Sequence, residues 1–145
     1  MQLERRGKGR SLDPNRISIL YRRAYRSVVN RHRKRWAGSE CITFNEFKVM
    51  ADSPCTYCGH KGSNAFQDYG RGGMLLSDTV LRINGIDRIC SDHGYTPVNT
   101  TPCCLYCNRG KNDRKLKYFL HWVAEVYHKS IKGTENDIKT LANLD

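Results

Sequence analysis

Residues 84–111 read NGIDRICSDHGYTPVNTTPCCLYCNRGK. The run Ile86 to Ile89 is short and apolar around one acid, Asp87, and predicts a strand. Gly94 marks a turn, and a return strand is expected near Val98 to Thr101. A helix should then begin near Cys104–Asn108. The stretch is thus a hairpin feeding a helix, with Asn99 in the middle of its loop. The pair Cys104-x-x-Cys107 runs directly into Asn108.

A second pair, Cys55-Thr-Tyr-Cys58, lies upstream. Two residues between thiolates let both sulfurs converge on one ion from a tight turn. Two such pairs make the closed tetrahedral site of structural zinc, so Cys55, Cys58, Cys104 and Cys107 are the expected ligands. Cys103 competes with Cys104, but its x-x-x spacing to Cys107 suits a knuckle less well. Residues 59–103 separate the pairs, more than in most zinc fingers, and the hairpin fills that interval. Redox chemistry and unpaired thiols are the alternatives. Cys41 and Cys90 read as small, half-buried residues.

Asp87 and Asn108 offer a carboxylate and an amide oxygen. These hard ligands suit Mg²⁺ or Mn²⁺ and leave room for water and a substrate phosphate. Such an ion can stabilise a phosphoryl transition state and its leaving oxygen. Taken singly, a strand aspartate is more often a surface residue and an asparagine after a knuckle more often a cap. Their shared setting raises the metal reading above both.

The charge is unevenly spread. Of the net +11, residues 1–39 carry 12 Lys/Arg against 2 acids, leaving residues 40–145 close to neutral. A concentrated basic segment is the footprint of a polyanion-binding element, most often for nucleic acid; a solvated basic face without a partner is the plain alternative. No apolar run approaches the roughly 20 residues that span a bilayer, and no secretory leader is evident, so an intracellular, unexported protein with no membrane partner is expected. In that setting the seven cysteines point to metal rather than disulfides.

Four regions follow. Residues 1–12 read as a disordered basic arm. Residues 13–39 form a basic helix started by Asp13-Pro14, with Ile17, Leu20, Tyr21, Ala24, Val28 and Val29 at helical spacing. Arg22, Arg23, Arg26, Arg31, Arg33, Lys34 and Arg35 are left to meet phosphate. Residues 40–132 form the core. There Thr43-Phe-Asn-Glu46 is a capping box for a helix over 44–51, residues 59–73 read as loop, and residues 74–83 as extended. Asn84-Gly85 is the strongest hairpin-turn signal. An amphipathic helix follows Asn112-Asp113, with Leu116, Phe119, Leu120, Val123, Tyr127 and Ile131 as its apolar stripe. Residues 133–145 are expected to hold a short terminal helix.

The pattern Asn84-Gly85-x-Asp87-Arg88, Gly94-Tyr95-x-x-x-Asn99, Pro102-Cys103-Cys104-x-x-Cys107-Asn108-x-x-Lys111 resembles the HNH, or ββα-metal, endonucleases. It is most similar to small phage-type, zinc-stapled members with an Asp-Arg motif, the PacI-like branch. Pro54-Cys-Thr-Tyr-Cys-Gly59 and Phe119-x-x-Trp122 with Val126-Tyr127 are similar as well. The resemblance covers about residues 40–130. It implies an α+β fold: a treble-clef-like ββα core with a basic N-terminal helix and C-terminal helices. It also implies that Asp87 and Asn108 bind the catalytic cation, that Asn99 braces the loop through backbone hydrogen bonds, and that the four cysteines hold zinc.

Most HNH enzymes place His after the Asp as the base. Arg88 stands there instead; it does not deprotonate near neutrality but clamps phosphate well. The base must come from elsewhere or be a metal-bound hydroxide; among side chains, His93 in the hairpin loop is the first candidate, ahead of Tyr95, His60 and Tyr69. The expected function is a metal-dependent endonuclease acting on double-stranded DNA, with Lys111 among its nucleic-acid contacts. Cutting both strands would call for a homodimer or two visits. A noncatalytic zinc-stabilised nucleic-acid-binding module and a degenerate HNH protein are the rivals.

Overall fold

The computed structural model describes residues 13–69 and 71–132. The expected basic arm over 1–12 and the short helix over 133–145 lie outside them.

Helix α1 spans Pro14–Trp36. The Asp13 carboxylate accepts from the Asn15 N–H at 2.9 Å, and Pro14 occupies the first turn, where its missing N–H costs nothing. Leu20, Tyr21, Ala24, Val28 and His32 form one buried stripe along the helix. Helix α2 spans Phe44–Asp52 and begins with the expected capping box between Thr43 and Glu46. It buries Phe47 and Ala51 against α1 and the strands.

Two antiparallel hairpins follow. In the first, β1 (Asn64–Tyr69) pairs with β2 (Leu75–Ile83), its register shifting near Asp68. The second pairs β3 (Gly85–Arg88) with β4 (Thr100–Cys103), setting Asp87 opposite Thr101. Helix α3 (Leu105–Lys111) leaves β4 at once, and α4 (Leu116–Lys132) comes after a short turn. The second hairpin and α3 form a ββα unit. The fold is α+β, with one core drawn from α1, α2, β2 and β3 and a separate small cluster around the cysteines.

Three local expectations need correction, and a fourth gains detail. Residues 59–73 are not all loop, because β1 lies within them. Its inward polar residue hides the strand period: Asp68 is 1% exposed and held by Arg16 and Arg23 of α1, each with a guanidinium nitrogen 2.7 Å from a carboxylate oxygen. Asn84-Gly85 is no hairpin turn; it joins two separate sheets. The buried Asn84 amide donates to Ser53 O and His60 O and accepts from Ser63 N–H, so it pins three segments at once. The return strand starts two residues later than expected, behind a 3₁₀ turn at Pro97–Asn99. Finally, α4 has its apolar stripe, but only Phe119 of it is buried; Leu120, Val123 and Tyr127 are exposed among the described residues.

The loop between β3 and β4 docks on α1. His32 Nδ1 accepts from the Tyr95 N–H at 3.1 Å, so its other nitrogen carries the proton and donates to Ser39 O at 3.2 Å. Gly94 sits directly on this ring. A Cβ there would lie 2.6 Å from His32 Cε1 and 2.7 Å from Nδ1. The ring is buried and hydrogen-bonded at both nitrogens, so it has nowhere to retreat. Gly94→Ala should therefore cost about 1–3 kcal/mol by overpacking; a urea midpoint equal to wild type would contradict this packing.

Candidate active site

The two knuckles meet as their spacing predicted. One sulfur from each of Cys55, Cys58, Cys104 and Cys107 lies within 4.8 Å of the others. Cys58 Sγ and Cys104 Sγ are 3.6 Å apart, and none of the seven cysteines forms a disulfide. An ion with Zn–S bonds of about 2.3 Å holds tetrahedral sulfurs about 3.8 Å apart, so the cluster has the size and chemistry of structural zinc. Cys103 is buried too, but its thiol is turned to Cys104 O and stays out of the cluster.

Backbone hydrogen bonds shape this site. Thr56 N–H donates to Pro102 O and Cys55 N–H to His60 O, fastening the first knuckle to β4. Gly59 closes the knuckle at φ 76°, a left-handed conformation that suits glycine. Burial opposes the Cys55 thiolate, but the N–H groups of Cys104, Cys58 and Tyr57 outweigh it and bring that thiol down to about 7. Cys104 and Cys107 are pushed up, first by burial; a hydrogen bond with Cys58 adds to this in both.

Asp87 is 6% exposed at the junction of β3, α3 and the first knuckle. Tyr57, inside the knuckle, donates its hydroxyl to Asp87 Oδ2 at 2.8 Å. Lys111 Nζ stands 3.1 Å from Oδ2 and 3.4 Å from Oδ1. Burial, then the Asp87 hydrogen bond and charge, push the Tyr57 phenol well above its ordinary value, so it is a firm proton donor here. Asn108 donates through Nδ2 to Ile86 O at 3.1 Å, which fixes α3 to β3; among the described residues its amide oxygen has no hydrogen bond. Asp87 and Asn108 therefore supply one carboxylate and one uncommitted amide oxygen. The donor set fits a hard divalent cation, although Tyr57 and Lys111 now hold the carboxylate.

Arg88 is largely buried between two rings, its guanidinium carbon 4.7 Å from the Trp36 centroid and 5.4 Å from that of Tyr95. Asp113 is its ion-pair partner, at 3.8 Å. Trp36 in turn donates to Asp92 O. Asn99 ties the loop together: its oxygen accepts from Cys90 N–H, and its amide donates to Cys90 O and Gly94 O. His93 is exposed on this loop, and no hydrogen bond joins its ring to Asp87, Arg88 or Asn108.

The basic residues divide. Arg22, Arg26, Arg31, Arg33, Lys34 and Arg35 are exposed along α1. An open trough there is lined by Arg23, Arg26, Arg31 and Lys34, and a cleft of about 330 Å³ carries Arg31 and Asn108 on its walls. Arg23 is committed in part to Asp68. Lys111 overturns its expected role, because a side chain with no exposure cannot be a surface phosphate contact. Tyr57 and Trp36 were not expected at the site. A phenol inside a Cys-x-x-Cys spacer was a usable signal for the first; nothing in the sequence placed Trp36 beside Arg88.

No family model matches the chain. Over 101 residues, 68% of this chain, it is 29% identical to an uncharacterised protein of Acanthamoeba polyphaga mimivirus, of which it spans 16%. Among solved structures it is similar to the rare-cutting HNH restriction endonuclease PacI, with a TM-score of 0.51 and 19% identity over 83% of this chain and 89% of that one. The chain thus shares the fold of that HNH endonuclease, with four cysteines gathered where a structural zinc would fit.

Metal analysis of protein purified without chelator should find about one zinc per chain, and Cys104→Ser should lose it. Because the ion-free Cys104 and Cys107 hold their protons and the bound form needs thiolates, zinc uptake should release protons and weaken as pH falls. Absence of zinc at neutral pH would refute the assignment.

Proposed function

We propose that the protein is a metal-dependent DNA endonuclease. The observation that carries this reading is the placing of Asp87: buried, on the central hairpin of an HNH-type fold, against the helix that bears Asn108. Asp87 and Asn108 would hold Mg²⁺ or Mn²⁺, which supplies electrostatic stabilisation of the phosphoryl transition state and its leaving oxygen. Every other contribution comes from the protein. Arg88 has guanidinium donors to spare beyond Asp113 and is held rigid by its two rings, which suits a phosphate clamp. Asn99 keeps the loop that presents it in one shape.

The orienting of the attacking water is assigned to Tyr57 rather than His93. Tyr57 has a hydroxyl at Asp87, whereas His93 has no bond to any site group. In the arrangement described, the phenol donates to the carboxylate. A water bound at Asp87 would come within reach of the same hydroxyl, which can orient it for in-line attack. Tyr57 is thus assigned as the group that positions the nucleophile.

DNA is the proposed partner because the exposed arginines of α1 line a trough continuous in sequence with the basic residues 1–12, and because the structural neighbour is a restriction endonuclease. One site per chain cuts one strand, so a homodimer would complete double-strand cleavage. No described helix is long and apolar enough to cross a membrane.

Supercoiled plasmid with Mg²⁺ or Mn²⁺ tests the reading. Wild type should convert it to nicked circles, and the Asp87→Ala, Asn108→Ala double variant should not. Equal, background nicking by both would favour a noncatalytic DNA-binding module. Tyr57→Phe should lower the nicking rate by about 10²-fold through misplacement of the water, while His93→Ala stays near wild type; the reverse order would give the chemical role to His93. DNA affinity should fall steeply with salt, and each neutralised α1 arginine that contacts phosphate should flatten that slope by about one.

A further inference from the structure

Lys111 is fully buried, which is rare for a lysine and requires compensation. Its ammonium lies 2.9 Å from Arg88 O, 3.1 and 3.4 Å from the two Asp87 oxygens, and 3.5 Å from both Ser91 Oγ and Asn112 O. Every partner is an oxygen: one carboxylate, two backbone carbonyls and one hydroxyl. Such oxygens are also what a hard divalent cation seeks. The group therefore sits in a cage of cation-binding character, touching the very carboxylate assigned to the catalytic ion.

Neither charge can be left alone at this depth. Removing one member of a buried pair leaves the other uncompensated, and that costs more than the pair itself contributes. Lys111 thus holds the Asp87 carboxylate in place before any divalent ion arrives. The same positive charge then works against the ion, since it shares the carboxylate and repels a second cation at close range in a setting that screens poorly.

We infer that Lys111 is a resident counter-ion: a positioning residue that holds Asp87 ready and lowers the affinity of the site for its divalent cation. The inference rests on the reading of Asp87 as a metal ligand. It explains why a lysine near the end of α3 turns inward rather than toward DNA. It also gives Lys111 two opposed effects that one substitution separates.

The test uses the full, zinc-loaded chain and Mn²⁺ as the probe. Calorimetry or electron paramagnetic resonance reads affinity, and thermal melting reads stability. Lys111→Met should bind Mn²⁺ at least about tenfold more tightly than wild type, because a competing charge has gone. Without Mn²⁺ it should melt at a lower temperature, and Mn²⁺ should raise that temperature by more than it raises the wild type's. Should Lys111→Met not fold without metal, Asp87→Asn and the Asp87→Asn, Lys111→Met pair carry the question. The double variant, with neither charge, should then melt above Asp87→Asn alone.

Equal or weaker Mn²⁺ binding by Lys111→Met, while wild type still nicks plasmid, would overturn this inference and leave the endonuclease reading standing. A double variant no more stable than Asp87→Asn would overturn it as well. No Mn²⁺ binding by either protein would remove Asp87 as a metal ligand, and both readings would fall together.

Discussion

The convergence of four thiols is the constraint on which the rest of this structure depends. Cys55 and Cys58 lie before both hairpins, and Cys104 and Cys107 lie after them. Bringing the pairs together closes a long loop, which a chain of this size with a modest core can hold only with help. Once closed, the cluster does more than staple. Cys104 caps α3, so the helix starts where β4 ends, and Asn108 and Lys111 follow one and two turns later on the side facing β3. The first knuckle delivers Tyr57 to Asp87 at the same time. The thiol cluster at one end of the unit thereby sets the geometry of carboxylate, amide and phenol at the other.

Around Asp87 the protein balances charge with little reserve. A carboxylate with 6% exposure has one phenol and one ammonium as partners, and that ammonium is itself sealed from solvent. Asp68 shows the same economy at the opposite edge, where two arginines of α1 neutralise a single buried acid. The two sites differ in what surrounds them. Asp68 is spanned by long side chains from one helix and ties that helix to β1. Asp87 is ringed by groups from β3, α3 and the knuckle, so any change in its charge is felt by three elements.

Much of this was legible beforehand, and the exceptions share a cause. Local rules read the caps at Asp13 and Thr43 correctly, because a cap depends on neighbours in sequence. Cysteine spacing picked the right four sulfurs for the same reason. The failures arose where distant residues decide the environment. Residues 64–69 look like loop until α1 supplies Arg16 and Arg23 to bury Asp68. Asn84-Gly85 has the composition of a turn, yet the Asn84 side chain is consumed by three backbone groups from other segments. Lys111 reads as a surface base because only the folded unit reveals that Arg88, Ser91 and Asp87 enclose it. His93 drew attention as the histidine nearest in sequence, while the hydroxyl that reaches Asp87 comes from 30 positions upstream.

Helix α1 has two faces with separate duties, and its inward one reaches past the core. His32 receives the Tyr95 N–H, and Trp36 both stacks on Arg88 and fixes the Asp92 carbonyl. The exposed arginines lie on its outward side. The helix is therefore not an interchangeable attachment. A graft that replaced it would alter the seat of Arg88 together with the charged face. Redesign of the charged face has to rewrite the outward positions one at a time and keep the inward stripe as it stands.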